Sequence, residues 1–234
     1  MTRLQFSPLL LVASLAMLPQ LTGCQGCSDQ GVTKLGDLDE EEEEENTTLS
    51  SQDWGQWLSA TKLQDGSIGI TYYDRDQGGI GFGVGTPKGG DITWVHEPID
   101  GYPQENGLDA SDRGMYTSVA TAPDGTVWAA YYDIGARNLR YGKRTVTSDG
   151  VQWKNDLADV GEGMTQDAGL FSSVAIDARG KPIIAHYDRG SQTLRVAHYK
   201  GGVFTGEVVD RGEDLLPEDT GGELVEANVG MHAR

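Results

Sequence analysis

Short segments in which apolar and small residues alternate recur through residues 53–234, and they predict β-strands rather than helices. The clearest pair of segments flanks Asp124-Gly125, and the second of them is rich in β-branched and aromatic residues. Asp-Gly between two such segments is a strong hairpin signal, because glycine accepts the positive φ that tight turns require. Two further strands follow before the pattern restarts. The four strands of this unit are predicted at 117–122, 126–132 and 138–142, and from 151 onwards.

The same unit occurs three times, at intervals of 59 and 55 residues. Residues 57–74, 116–133 and 171–188 align without a gap. In each, an aromatic residue is followed nine residues later by glycine and then by Tyr-Asp, whose Asp lies eight residues after the glycine. A repeat of this length with four strand-like segments predicts an all-β protein of propeller-type blades. A repeated β-sandwich of hairpins is the alternative. The predicted blades cover residues 54–112, 113–168 and 169–229.

The predicted number of blades is too small for a closed ring, since propellers typically have four to eight. Each first strand is preceded by glycine, any residue and an aromatic, and Gly230-Met231-His232 begins this pattern again. We therefore expect three blades plus the start of a fourth, as in a truncated or split form of a longer propeller. Open blade edges would favour self-association with other chains.

Residues 1–23 have the pattern of a secretory signal peptide, with Arg3 near the start and an apolar run at 9–18. The run is too short for a typical membrane-spanning helix. Leu21-Thr22-Gly23-Cys24 follows the run and resembles the lipobox of bacterial lipoproteins. This resemblance implies acylation of Cys24 and a place in the bacterial cell envelope, at the outer membrane or the cell surface. The alternative is an ordinary secretory signal with a chance cysteine.

Residues 24–52 are predicted to be a disordered acidic tether between the lipid anchor and the folded domain. Six consecutive glutamates occupy positions 40–45, and apolar residues are almost absent. Such a segment repels itself and cannot bury enough surface to fold. The alternative is that the acidic run binds a cation or a basic partner.

The folded domain is acidic as well. Of the 36 acidic and 18 basic residues, nine acidic and two basic ones precede residue 53, which leaves 27 against 16 and a net charge of −11 for residues 53–234. This charge argues against a nucleic-acid partner, because Lys and Arg contacts to phosphate dominate that kind of binding.

The repeats resemble those of bacterial secreted β-propellers that carry a Tyr-Tyr-Asp motif. Residues 172–177 (Ser-Ser-Val-Ala-Ile-Asp), Tyr187-Asp188 and residues 194–197 (Leu-Arg-Val-Ala) match that pattern. The resemblance implies a propeller fold that supplies a ligand-binding or scaffolding surface. A sialidase Asp-box is not matched, because Asp124 directly precedes Gly125.

The first-strand aromatics and the Tyr-Asp pairs are expected at one end of the blades, because a strand entry and the exit of its neighbour meet there. Aromatic rings beside carboxylates can bind sugars or cationic groups. The alternative is that the aromatics separate neighbouring blades and the aspartates close turns. The candidate ligand-binding residues are Trp57, Tyr116, Phe171, Asp74, Asp133 and Asp188.

No cofactor or catalytic centre is predicted. Residues 74–78 (Asp-Arg-Asp-Gln-Gly) place carboxylates at alternate positions, as Ca²⁺ loops do, but a third alternate ligand and a downstream bidentate Glu are missing. The sequence therefore predicts a non-catalytic binding or scaffold module with a protein or glycan ligand. The alternative is an extracellular carbohydrate-active hydrolase or lyase with its site at the channel mouth.

Overall fold

A computed structural model of the chain describes residues 54–103, 111–162, 167–212 and 229–231, all of which lie in the compact unit Leu49–Arg234. The predicted signal peptide, the predicted acylation site Cys24, the predicted tether and His232 lie outside the described residues. Within the described ranges, no helix has the length and apolarity that crossing a membrane requires.

The described strands form three antiparallel sheets of four strands each, in which consecutive strands are neighbours. The all-β class and the four-stranded units predicted from the sequence are therefore confirmed. The first sheet consists of β1 (Trp54–Lys62), β2 (Ile68–Asp74), β3 (Gly79–Lys88) and β4 (Asp91–Asp100). The second consists of β5 (Arg113–Thr121), β6 (Val127–Asp133), β7 (Asn138–Thr147) and β8 (Gly150–Asp159). The third consists of β9 (Ala168–Ile176), β10 (Pro182–Asp188), β11 (Thr193–Lys200) and β12 (Val203–Asp210).

The predicted Asp-Gly hairpin joins β5 to β6. The Ala122 amide donates to the Thr126 carbonyl, and the Gly125 amide donates back to the Ala122 carbonyl. The Asp124 carboxylate accepts the Thr126 amide at 3.0 Å, which is the local hydrogen bond that makes aspartate a frequent turn residue. The first and third sheets use the same device, with Asp65 and Asp177 as the acceptors.

The first strands of consecutive sheets lie side by side, whereas the fourth strands make fewer contacts with one another. Two hydrogen bonds join the first strands. The Val119 amide donates to Ser59 Oγ at 3.1 Å, and the Val174 amide donates to Ser118 Oγ at 3.0 Å. The two serines occupy equivalent repeat positions, so both junctions use the same contact.

Two hydrophobic cores fill the spaces between the sheets. β6 belongs to both, since all seven of its residues are buried. Between the first and second sheets lie Ile80, Phe82, Ile99, Val127, Ala129 and Tyr131, among others. Between the second and third sheets lie Trp128, Ala130, Leu139, Tyr141, Ile184 and Ala197, among others.

Candidate functional site

The three predicted aromatic residues lie next to one another at one end of the sheets. Trp57, Tyr116 and Phe171 are each the fourth residue of a first strand. The ring centroids of Trp57 and Tyr116 are 4.2 Å apart, and those of Tyr116 and Phe171 are 4.6 Å apart. We call these three residues the aromatic row. It exists because adjacent first strands carry the same residue type at the same register.

The backbone of the aromatic row is left-handed at every position. The φ angles are 54° at Trp57, 55° at Tyr116 and 53° at Phe171. Steric conflict between Cβ and the backbone makes this conformation cost about 1–2 kcal/mol for a residue other than glycine. It coincides with the register shifts in the pairing of β1, β5 and β9 with their neighbours. These bulges turn the aromatic side chains towards one another.

The row is unequally exposed. The side chain of Trp57 is 41% exposed, while Tyr116 and Phe171 are half-buried. Tyr116 packs on Tyr132 with centroids 6.2 Å apart, and Phe171 packs on Tyr187 at 6.4 Å. The tyrosines of the Tyr-Asp pairs therefore support the row from behind, and Trp57 offers the largest free ring surface.

The predicted aspartates lie at the same end of the sheets but are buried. Asp74, Asp133 and Asp188 are 1%, 1% and 0% exposed. Each accepts an amide hydrogen bond from the turn after its strand, from Gln77, Ala136 and Gly190 respectively. Turn closure is therefore a contact that all three aspartates share, and a role in ligand binding stays a prediction.

Two other aspartates contact the tyrosines of the Tyr-Asp pairs. Tyr73 donates to Asp112 and Tyr132 donates to Asp167, both at 2.6 Å. Burial and the neighbouring carboxylate raise the pKa of each phenol above its ordinary value. The sequence carries a signal for these contacts, since Asp112 and Asp167 both lie four residues before an aromatic of the row.

A polar cluster between the first and second sheets was also missed. Asp100, the last residue of β4, accepts hydrogen bonds from Tyr131 at 2.6 Å, Arg113 at 2.9 Å and Arg140 at 3.2 Å. Burial by itself would raise the pKa of the Asp100 carboxyl. The three donors outweigh burial and lower it. Arg113 also donates to Asp133 at 2.8 Å, which links the cluster to the buried turn.

The second and third sheets repeat this cluster with other residues. Asp159, the last residue of β8, accepts from Arg195 at 2.9 Å and from His186 Nε2 at 3.1 Å. Burial opposes ionisation, but these donors and the Gly161 amide hold the pKa of Asp159 well below its ordinary value. His186 lies within β10 and is fully buried.

The geometry offers a partly exposed aromatic surface at one end of the sheets. Among the described residues, no group of three or more His, Cys, Asp or Glu side chains lies close enough to hold a metal ion. The polar clusters of Asp100 and Asp159 lie between sheets, where their hydrogen bonds hold neighbouring sheets together. The aromatic row is therefore the candidate site for a ligand. Comparison of the sequence with protein-family models and with curated proteins found no match.

Proposed function

We propose that this chain is a lipid-anchored, extracytoplasmic binding or scaffold module built of propeller-type blades, and that its ligand binds at the aromatic row. Two features support the propeller arrangement. Each unit is a four-stranded antiparallel meander, and the first strands of consecutive sheets adjoin while the fourth strands make fewer contacts. This is the order expected for blades arranged around an axis lined by first strands.

The observation that carries the binding function is the repeated left-handed backbone at large aromatic residues. Such a conformation is uncommon for any residue other than glycine, and it is rarer still for a bulky one. Backbone strain persists where the surroundings enforce it, and it is concentrated at binding and catalytic sites. Here it recurs at three equivalent positions and brings three rings into contact. A purely structural joint could use glycine at the same φ without this cost.

The chemistry of the row favours a glycan or a cationic group as the ligand. Ring faces bind the apolar faces of sugars by stacking, and they attract cations through their negative quadrupole. The net charge of −11 for residues 53–234 adds a long-range attraction for cationic ligands. Trp57 is the main contact in this proposal because its ring is the most exposed of the three.

The proposal is tested by screening the full chain on an array of neutral, amino and acidic glycans and titrating the best ligand. We expect Trp57→Ala to weaken binding at least tenfold, about 1.4 kcal/mol. The matched control is Trp94→Ala, because Trp94 is 40% exposed on β4 of the same sheet and lies outside the row. Equal affinities of Trp57→Ala and Trp94→Ala for the ligand would contradict the proposed site.

Catalysis is tested with the same ligand. We expect no turnover by the wild-type chain. Hydrolysis or elimination that is abolished by Asp133→Asn, in a variant that still folds, would replace the binding module with a carbohydrate-active enzyme.

The lipid anchor is tested separately, by expression in a bacterium and fractionation. We expect the wild-type chain in the membrane fraction and Cys24→Ser in the soluble fraction. Membrane attachment that persists in Cys24→Ser would contradict acylation at this residue.

A further inference from the structure

The third sheet has a face that differs from the equivalent faces of the other two. The strand registers pair Ile80 with Asp100, Leu139 with Asp159 and Leu194 with Asp210, so these three pairs occupy equivalent positions. In the first two sheets this face is covered by the next sheet. We define the outer face of the third sheet by Ile183, Ala185, Leu194, Val196 and Val209, which are the equivalents of residues that the second sheet buries against the third.

The exposure of the outer face marks it as incompletely covered. Ile80 and Leu139 are fully buried, whereas Leu194 is half-buried. Ile99 and Ala158 are each 5% exposed, whereas the equivalent Val209 is 55% exposed. Burial alternates along β10 and β11, and the residues that contact the second sheet are the more buried ones. The outer face is thus apolar, and among the described residues no sheet covers it as its counterparts are covered.

Two acidic side chains on β12 repeat the acceptors that the first sheet offers to the second. Asp210 takes the position of Asp100, and its carboxylate accepts the amide of Gly212 as Asp100 accepts that of Gly101. Glu207 takes the position of Glu97, since both lie opposite the second apolar residue of a third strand. In the part of the chain that the structure describes, no side chain donates to Asp210, and Glu207 contacts only the exposed His198.

The second sheet supplies side chains that donate hydrogen bonds to Asp100 and Glu97. Tyr131 and Arg140 donate to Asp100. Arg144 donates to both oxygens of Glu97, at 2.8 and 2.7 Å, and Trp153 Nε1 donates to Glu97 at 2.8 Å. A sheet with these four side chains would therefore meet an acceptor for each of them on the third sheet.

Gly230 shows that the junction geometry is repeated on the third sheet. A Cβ atom at Gly114 would lie 3.1 Å from Ile80 Cα, and one at Gly169 would lie 2.8 Å from Leu139 Cα. At Gly230 the distance to Leu194 Cα would be 2.9 Å. The three glycines have φ angles of 126°, 112° and 99°, so the chain passes each sheet in the same way. Gly114 and Gly169 are each the second residue of the first strand of the sheet that covers this position.

We propose that the outer face of the third sheet binds a further four-stranded sheet of the same repeat type. The occupant carries tyrosine or histidine on its second strand and arginine on its third strand, and both donate to Asp210. A second copy of this chain fits less well, because its first sheet has Gly81 at the position of Arg140 and Arg195. This proposal concerns a different surface from the aromatic row and does not depend on a ligand there.

The experiment supplies the occupant and measures its effect on the third sheet. Residues 115–162, which contain the second sheet from the third residue of β5 onwards, are duplicated directly after Gly230 of the full chain, so that Gly230 takes the place of Gly114. Amide hydrogen exchange then reports protection strand by strand. We expect exchange in β11 and β12 to slow at least about tenfold, because docking suppresses local opening of a sheet edge and face.

Two variants make this result specific to the outer face. Val209→Asp should abolish the slowing in the extended chain and leave exchange in the original chain unchanged, because Val209 is exposed there. Asp210→Asn should weaken the slowing without abolishing it. Arg140→Met in the duplicated segment alone should match the Asp210→Asn effect, since both remove the same ion pair.

Three outcomes would overturn the proposal. One is slowed amide exchange in the duplicated segment while exchange in β11 and β12 is unchanged. Another is fast exchange throughout the duplicated segment, because the same residues form a sheet in the original chain and should fold again if the outer face binds them. The third is an original chain that is already a dimer by light scattering and dissociates on Trp94→Ala, since a second copy would then cover the face.

Discussion

The two junctions between the sheets have the same backbone geometry but are filled by different chemistry. At the junction of the first and second sheets, Arg144 and Trp153 converge on Glu97, and the Arg144 guanidinium lies 5.5 Å above the ring of Phe82. At the junction of the second and third sheets, the position of Arg144 is taken by Tyr199. There Trp128, Tyr141, Tyr199 and Phe204 form an aromatic cluster with centroid distances of 4.8 to 6.3 Å.

The two junctions differ less around the carboxylates of Asp100 and Asp159. Both centre on the carboxylate that ends a fourth strand, and both supply an arginine from the third strand of the next sheet. The arginines that pair with these carboxylates are more buried at the second junction than at the first. The side chains of Arg113 and Arg140 are 17% and 20% exposed, whereas that of Arg195 is 6% exposed. Both junctions thus hold a charged pair at the end of a fourth strand, whereas the packing around Arg144 is ionic and the packing around Tyr199 is aromatic.

The largest effect is expected from removal of the more buried carboxylate. Asp159→Ala leaves Arg195 and His186 buried without their acceptor, and loss of one partner of a buried pair typically costs 3–5 kcal/mol, so we expect a loss of about 3–5 kcal/mol. Urea denaturation measures this loss. Asp100→Ala is the matched comparison and should cost less, about 2 kcal/mol, because its arginines remain partly hydrated. Equal losses would contradict the assigned difference in burial.

The pH dependence should follow the same carboxylates. The folded-state pKa values of Asp159 and Asp100 are lowered, while an unfolded aspartate titrates near pH ~3.9. Their stabilisation is therefore complete above about pH 4 and is lost as the pH falls through the folded pKa values. The urea concentration at the unfolding midpoint, measured between pH 7 and 2, should decrease once the pH is below ~4. The Asp159→Asn variant should show a shallower decline, and an unchanged decline would contradict its role.

A smaller effect is expected from the outer part of the first junction. Arg144→Met removes a bidentate ion pair with Glu97, and hydrogen bonds to charged groups contribute about 1.5–3 kcal/mol. We expect a loss of about 2 kcal/mol by urea denaturation. Tyr199→Phe is the control at the equivalent position of the second junction. It should cost below about 0.5 kcal/mol because it keeps the aromatic contacts. A larger loss for Tyr199→Phe would show that its hydroxyl matters.

The smallest effect is expected at Lys143, which neighbours Arg144 on β7 but points to the second junction. Its Nζ lies 5.3 Å from the centroid of Trp128, an attraction of about 0.5–1 kcal/mol at an exposed site. Lys154 lies directly opposite in the register, and the repulsion of like charges offsets part of this attraction. Lys143→Met should therefore change stability by less than about 0.5 kcal/mol. A loss above about 1 kcal/mol would contradict this balance.

The sequence predicted the strands well because their signal is local. Alternation with a period of two, Asp-Gly turns and a gapless threefold register identified four strands in each unit. The same register identified Trp57, Tyr116 and Phe171 as equivalent, and the structure places them in contact. It could not show that their backbone is left-handed, because this follows from bulges in the pairing with the second strands.

The polar junctions were not predicted, since they join residues far apart in the chain. Tyr131 and Asp100 are separated by 31 residues, and Arg144 and Glu97 by 47. Many carboxylates and arginines in one acidic chain are compatible with many pairings. Only the stacking of one sheet on the next selects these pairs, because it fixes which strand ends face each other.

By itself, then, the sequence determined the repeat, the strands and the equivalence of positions, because these depend on contacts within one unit. The tertiary structure decided which of the equivalent residues are buried and hydrogen-bonded in the same way. Asp100, Asp159 and Asp210 have the same place in the repeat, but only the first two accept side-chain donors from a described neighbouring sheet. The difference arises because burial and pairing depend on what lies against a face, which the residues of that face do not specify.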